Sequence, residues 1–262
     1  MVVLTRRVSP TTREYLKVIR NIIFSALVLT ASTTLYACPH TELGVPKQSD
    51  FVDCREGYAI GYSYKLKSAT WVAYRLEKQA DGAGVDRVDD FRVDPKIPAQ
   101  YQTTPEDYNE PIYHQGHLAN SESIDTSPTA MSETFFMSNM VPQLPTHNTG
   151  IWKGLENRER KWANKRTVIY VFTGPLYQGE TKYIGENRVP VPSHLWKVIY
   201  DPAANEAITY IIEHKPLYTR DLDNYLASVD DVEAQAGIDL FGKLTDLEQT
   251  SIESKAQLRQ WK

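Results

Sequence analysis

The chain is expected to fold as α+β, with a central antiparallel sheet and flanking helices. Three observations predict this. Short apolar runs come in pairs around tight turns: Tyr58 to Lys65 with Ala69 to Glu77 about Lys67-Ser68, and Leu195 to Tyr200 with Ala207 to Glu213 about Asp201-Pro202. Arg166 to Thr173 (R-T-V-I-Y-V-F-T) stands between the pairs as a strong strand, which Gly174-Pro175 is expected to end. Helical spacing enters late, and sixteen Tyr with five Trp also lean toward strand-rich structure.

In order, Gln79 to Val85, with Gly82 and Gly84, reads as a loop, Arg87 to Pro95 as an extended or turning segment, and Pro95 to Glu110 as connection. A short strand ends at His117, and a loop carries Asn139. A helix enters near Asn148, passes Glu156 and continues to Asn164, because Trp152, Leu155 and Trp162 fall near helical spacing. Ser228 with Asp231 makes a capping box for a short helix that Gly237 stops, and a mostly polar helix runs from Asp246 to Leu258. No repeat, low-complexity tract or linker follows residue 38, so 38–262 reads as one domain. At 41% hydrophobic and 24% charged it has ample material for a core.

Residues 1–37 read as a signal peptide. Arg6, Arg7, Arg13, Lys17 and Arg20 form a basic leader, and the 16 residues Ile22 to Ala37 carry no charge. That run is short for a bilayer span and suits a signal core. Cleavage after Ala37 would leave 24 Lys+Arg against 32 Asp+Glu, a net charge of −8. The expected location is periplasmic or secreted, with no stable membrane insertion after cleavage. Cys38 and Cys54 are then expected to form a disulfide. The alternatives are an uncleaved anchor and a lipoprotein acylated at Cys38, the latter poorly served by Tyr36 and leaving Cys54 an odd thiol.

The stretch from Ile112 to Glu156 concentrates chemistry. His117 follows Gly116, which permits close approach of backbone or ligand, and Asn120, Asn139, Asn148 and Glu156 supply neutral and acidic oxygens. Such oxygens suit a hard cation such as Mg²⁺, and a neutral imidazole beside it can act as general base on a water. Asn148 and Glu156 are eight residues apart, about 2.2 helical turns, so both can face one way. Asn148 could equally be a helix N-cap, and Glu156 alone an ordinary solvated carboxylate.

The strings Y-x-x-G-H-L-A (Tyr113 to Ala119), S-N-M-V-P-Q (Ser138 to Gln143) and H-N-T-G-I-W-K-G-L-E (His147 to Glu156) resemble the DNA/RNA non-specific endonucleases of the ββα-metal (His-Me finger) superfamily. So do W-V-A-Y at Trp71, F-x-x-D-P at Phe91, T-G-P at Thr173, V-P-S-H-L-W-K-V at Val191 and V-D-D-V-E-A-Q-A-G-I-D-L-F at Val229. The resemblance covers about residues 56 to 244 in the right order and is highly specific. It implies a ββα-metal site in which His117 is the general base and Asn148 the single direct protein ligand of Mg²⁺ or Mn²⁺. Glu156 would hold waters of the ion, Asn139 the geometry of the site, and Arg87, with Arg92 a nearby competitor, the scissile phosphate. The expected reaction is hydrolysis of DNA and/or RNA to 5′-phosphate and 3′-hydroxyl ends.

One departure stands out. The usual Asp-Arg-Gly-His tetrad reads His114-Gln115-Gly116-His117 here. Loss of the acid and the arginine is expected to weaken Mg²⁺ support or shift preference toward Mn²⁺ or Co²⁺. His114→Asp should then raise Mg²⁺-supported cleavage. The acidic chain limits substrate contact to a few phosphates, met by Lys153, Arg158 and Lys161 with Arg160, Lys165 and Arg166 nearby, unless these form a solvated helix face. Two rival readings are a catalytically impaired binding or structural module and a zinc hydrolase built on His114, His117 and His147.

Overall fold

The computed structural model describes residues 38–78, 84–109, 111–253 and 261. The expected leader, most of the Gly82 loop and residues 254–258 of the expected C-terminal helix lie outside these residues. Seven strands form one sheet: β1 (Phe51–Cys54), β2 (Ala59–Ser63), β3 (Ser68–Glu77), β6 (Val168–Leu176), β9 (His194–Asp201), β10 (Glu206–Glu213) and β11 (Leu226–Ala227), in that spatial order. Every pairing in it is antiparallel. Two further pairs stand apart, β4 (His114–His117) with β5 (Met140–Gln143), and β7 (Tyr183–Ile184) with β8 (Val189–Pro190).

Both expected hairpins form, the first turning through Lys67 at φ 48° and the second through Asn205 at φ 51°. One expectation is corrected. Gly174-Pro175 does not end β6, which pairs on with β9 as far as Leu176. Its pairing with β3 stops at Thr173, so Pro175 sits where one side of the strand is free of ladder bonds and its missing N–H costs nothing. Four-residue β1 had no apolar run to announce it and was not expected; its burial alternates as an edge strand's does.

Side-chain alternation divides the core into two layers. One face presents Ile60, Val72, Tyr74, Val171, Ile199 and Tyr210 to Trp152, Leu155 and Trp162 of the central helix. The other presents Trp71, Ala73, Phe172, Trp196, Val198 and Tyr200 to Val229, Val232, Phe241 and Ile252. The helices are α1 (Pro128–Glu133), α2 (Lys153–Arg166), α3 (Val229–Ala236) and α4 (Asp246–Glu253). Helix α3 has the expected ends: Ser228 and Asp231 cap it reciprocally, and Gly237 leaves it at φ 64°. A Cys38–Cys54 disulfide ties the first described residue to the end of β1. Among the described residues no helix is long and apolar enough to cross a membrane.

Candidate active site

Strands β4 and β5 and the helix after them make a ββα unit on the first face of the sheet. His117 closes β4 opposite Met140, while Gly116 lies against the Gln143 side chain, where a Cβ would come within 2.4 Å. That close approach, rather than a ligand's, is what the glycine allows. The Trp152 indole N–H donates to the His117 carbonyl at 3.1 Å and ties strand to helix. The imidazole packs against Phe91 and edge-on to Phe135, with ring centres 5.7 and 5.1 Å away. Its Nε2 is buried and has no hydrogen-bond partner. Burial, with the Arg87 charge second, pushes its pKa down to about 3, so the ring is neutral at ordinary pH.

His117 lines a cleft of about 620 Å³ together with Arg87, His114, Gln115, Asn120, Glu122, Asn148, Lys153 and Glu156. Arg87 lies 5.3 Å over the Phe135 ring and pairs with Asp89 at 2.7 Å. Arg92, its competitor, is instead bonded to Ser132 at 2.8 and 3.0 Å and does not reach the cleft.

The helix does not begin at Asn148. A π-turn spans His147–Trp152 ahead of α2, and the Asn148 amide already donates to Leu144, so the N-cap reading is corrected. The Ile151 N–H bonds outward to the Leu217 carbonyl at 3.2 Å, and Gly150 leaves room for that carbonyl. With this amide diverted, the ladder loosens to i→i+5. Wider turns bring the eight residues from Asn148 to Glu156 closer to two full turns, and both side chains line the cleft. Asn148 Nδ2 lies 3.3 Å from His114 Nδ1. Glu156 is half-buried, with its side chain on the cleft. Burial raises its pKa to about 8; the Lys197 charge pulls the other way, and Glu159 adds to the rise.

Asn139 is placed differently from a group that meets substrate. It is fully buried, accepts from the Ala119 N–H at 2.9 Å, and donates to Ala119 and Thr134 carbonyls at 2.9 and 2.8 Å. It pins the backbone just after His117 and so positions the site rather than meeting substrate. Lys153 is exposed on the cleft, 3.8 Å from Glu122. Arg158 and Lys161 are not on the cleft: Arg158 turns away to Asp223 at 2.9 Å, and Lys161 is exposed elsewhere on α2. Helical spacing decides this, since 153 and 156 share a face that 158 and 161 leave. The zinc reading is also corrected. His147 is buried against Trp152 and His214, and the one group of three His, Cys, Asp or Glu ligand atoms among the described residues is Asp230, Glu233 and Glu253, on the sheet's other face.

Sequence reasoning missed the network beneath the cleft. Glu159 is fully buried and receives Lys197 Nζ at 2.7 Å, the Tyr74 hydroxyl at 3.0 Å, Asn120 Nδ2 at 2.6 Å and Ser123 Oγ at 2.8 Å. Arg160 donates to Asn120 Oδ1 at 3.0 Å. The signal was present in β9, where Lys197 alternates with Leu195 and Ile199 on an apolar face.

A family model described as DNA/RNA non-specific endonuclease matches residues 39–247. The chain belongs to this family. It is 33% identical over 199 residues to mitochondrial endonuclease G of Homo sapiens, covering 70% of this chain and 67% of that protein. It is 32% identical over 212 residues to nuclease C1 of Cunninghamella echinulata var. echinulata, covering 74% and 84%. A nuclease of Nostoc sp. is 30% identical over 218 residues, covering 79% and 78%. A crystal structure of the EndoG/EndoGI complex, titled for the mechanism of EndoG inhibition, superposes with a TM-score of 0.74 at 26% identity over 79% of this chain and 91% of that one. This DNA/RNA non-specific endonuclease is therefore an enzyme acting on nucleic acid, in a family of metal-dependent nucleases. The impaired-module reading yields to that membership.

The residues on the cleft fit a divalent cation. Asn148 offers a carboxamide oxygen, and Glu156 is a carboxyl held protonated by burial that a nearby positive charge would draw back to its ionised form.

Proposed function

We propose that this endonuclease hydrolyses phosphodiester bonds of DNA and/or RNA, with His117 as general base. The observation that carries the reading is a neutral imidazole on a cleft shared with Asn148, Glu156 and Arg87. A water oxygen attacks phosphorus while its proton passes to the His117 imidazole, and the bond to the 3′ oxygen breaks. The leaving oxygen takes a proton from cleft water, giving 5′-phosphate and 3′-hydroxyl ends. The Arg87 guanidinium faces the charge that grows on the phosphate, and Lys153 meets a flanking one. Asn148 would hold Mg²⁺ or Mn²⁺, with waters of the ion toward Glu156; when bound, the cation polarises the phosphate as a Lewis acid. The Phe91 and Phe135 rings keep His117 oriented, and desolvation keeps it unprotonated.

We propose that the same role is carried out outside the cytoplasm. The Cys38–Cys54 disulfide favours an oxidising compartment and engages the thiol that a lipid anchor would need.

Plasmid nicking with Mg²⁺ or Mn²⁺ tests the reading. His117→Ala is expected to lower the rate by roughly 10²–10⁴-fold, the usual worth of a general base. Full activity in that variant, or products that a ligase cannot rejoin, would overturn it.

A further inference from the structure

Strand β4 brings a second imidazole to the cleft. His114 is exposed, lines the cavity with Asn148, and sets its Nδ1 3.3 Å from Asn148 Nδ2. A half-turn of the carboxamide exchanges its oxygen and nitrogen at almost no change in shape. With the His114 proton on Nε2, the same side chains then present two lone-pair atoms to each other across that gap. Such atoms repel unless a cation lies between them. Two ligands at right angles on an octahedral ion, with bonds of roughly 2.1 Å, stand about 3 Å apart. The pair is thus already spaced as adjacent ligands of one ion.

We propose that His114 Nδ1 and Asn148 Oδ1 together ligate the catalytic cation, so that the site is an N,O donor pair. This rests on the reading of Asn148 as a metal ligand and adds a second protein ligand to it. An imidazole at the place of the usual acid brings a lone pair without a negative charge. The site therefore favours Mn²⁺ or Co²⁺, which accept nitrogen readily, over Mg²⁺, which prefers oxygen. Because β4 sets His114 at an exposed position, its replacement leaves the core untouched.

Titration of the metal-free protein with Mn²⁺ and with Mg²⁺ by calorimetry, without substrate, together with pulsed electron paramagnetic resonance of the Mn²⁺ form, tests this. A directly bound ¹⁴N coupling is expected in the wild type and in His117→Ala, and is expected to vanish in His114→Ala. Mn²⁺ affinity should fall about tenfold or more in His114→Ala, while Mg²⁺ affinity changes less. His114→Asp should recover Mg²⁺ affinity with no nitrogen coupling. Absence of the coupling in the wild type, or its survival in His114→Ala, overturns the proposal and leaves a plain hydrogen bond between the two side chains. Asn148→Ala separates the two levels. Unchanged Mn²⁺ and Mg²⁺ affinities there overturn the reading of Asn148 as well. Loss of the ion in Asn148→Ala but not in His114→Ala overturns the N,O pair alone.

Discussion

The two faces of the seven-stranded sheet are filled by different chemistry. The face under α3 and α4 is packed with aromatic and aliphatic side chains: Trp71, Phe172, Trp196, Tyr200 and Phe241. The face under α2 carries a comparable apolar layer, but buries a carboxylate, an ammonium, a phenol and two imidazoles in or beside it. One layer stabilises by area removed from water. The other spends part of that gain on desolvating polar groups, and those groups shape the cleft. The cleft and the buried ion pair beneath it thus lie on one face of a single sheet.

Replacing one member of the buried Glu159–Lys197 pair should be the most severe break. Lys197→Met leaves an ionised Glu159 in the core and is expected to cost about 3–5 kcal/mol, seen in chemical denaturation. Adding Glu159→Gln to Lys197→Met should recover much of that loss, and no recovery would mean that lost packing rather than stranded charge dominates. On the other face, Phe241→Ala should cost about 3 kcal/mol through a cavity, with kcat/KM unchanged below the new Tm. A matching fall in kcat/KM would show that the two faces are coupled.

A smaller effect concerns pH. The His117 pKa is lowered from 6.5 to about 3, so the unfolded chain takes up the proton first as pH falls. Stability from keeping that ring neutral is complete above pH 6.5 and is lost progressively toward pH 3. His147, lowered to about 3 by burial, acts in the same window. Glu156 has the opposite sign: raised to about 8, it loses stability as pH climbs from 4.5 toward 8. Replacing His117 with Gln should flatten the acid slope in denaturation midpoints, whereas Phe241→Ala should leave the slope as it is. Least is expected of Arg158→Ala and Lys161→Ala, which should change nucleic-acid affinity by about twofold or less in low-salt binding assays, against a larger loss for Lys153→Ala.

Local signals made much of this legible. Alternation and turn residues marked β2, β3, β9 and β10, and the Ser228–Asp231 box with Gly237 marked both ends of α3, because each depends on neighbours in the chain. The site residues His117, Asn148 and Glu156 stood out through their spacing and the family resemblance. Less visible was whatever depends on distant partners. Gly174-Pro175 reads as a strand end until the limit of β3 pairing shows that Pro175 needs no donor there. Glu159 reads as a surface charge until Lys197, Tyr74 and Asn120 close around it.

The order of residues alone determined the fold class, the ββα stretch and the identity of the groups that meet at the cleft, since period, caps and motif are properties of the string. Only the tertiary structure decided which of those groups face the cleft and in what electrical state. The Leu217 carbonyl bends the helix into a π-turn at Asn148, two phenylalanine rings strip water from His117, and the burial of Glu156 raises its pKa. Each of these comes from a segment far away in sequence, and desolvation exists only once the chain has closed on itself.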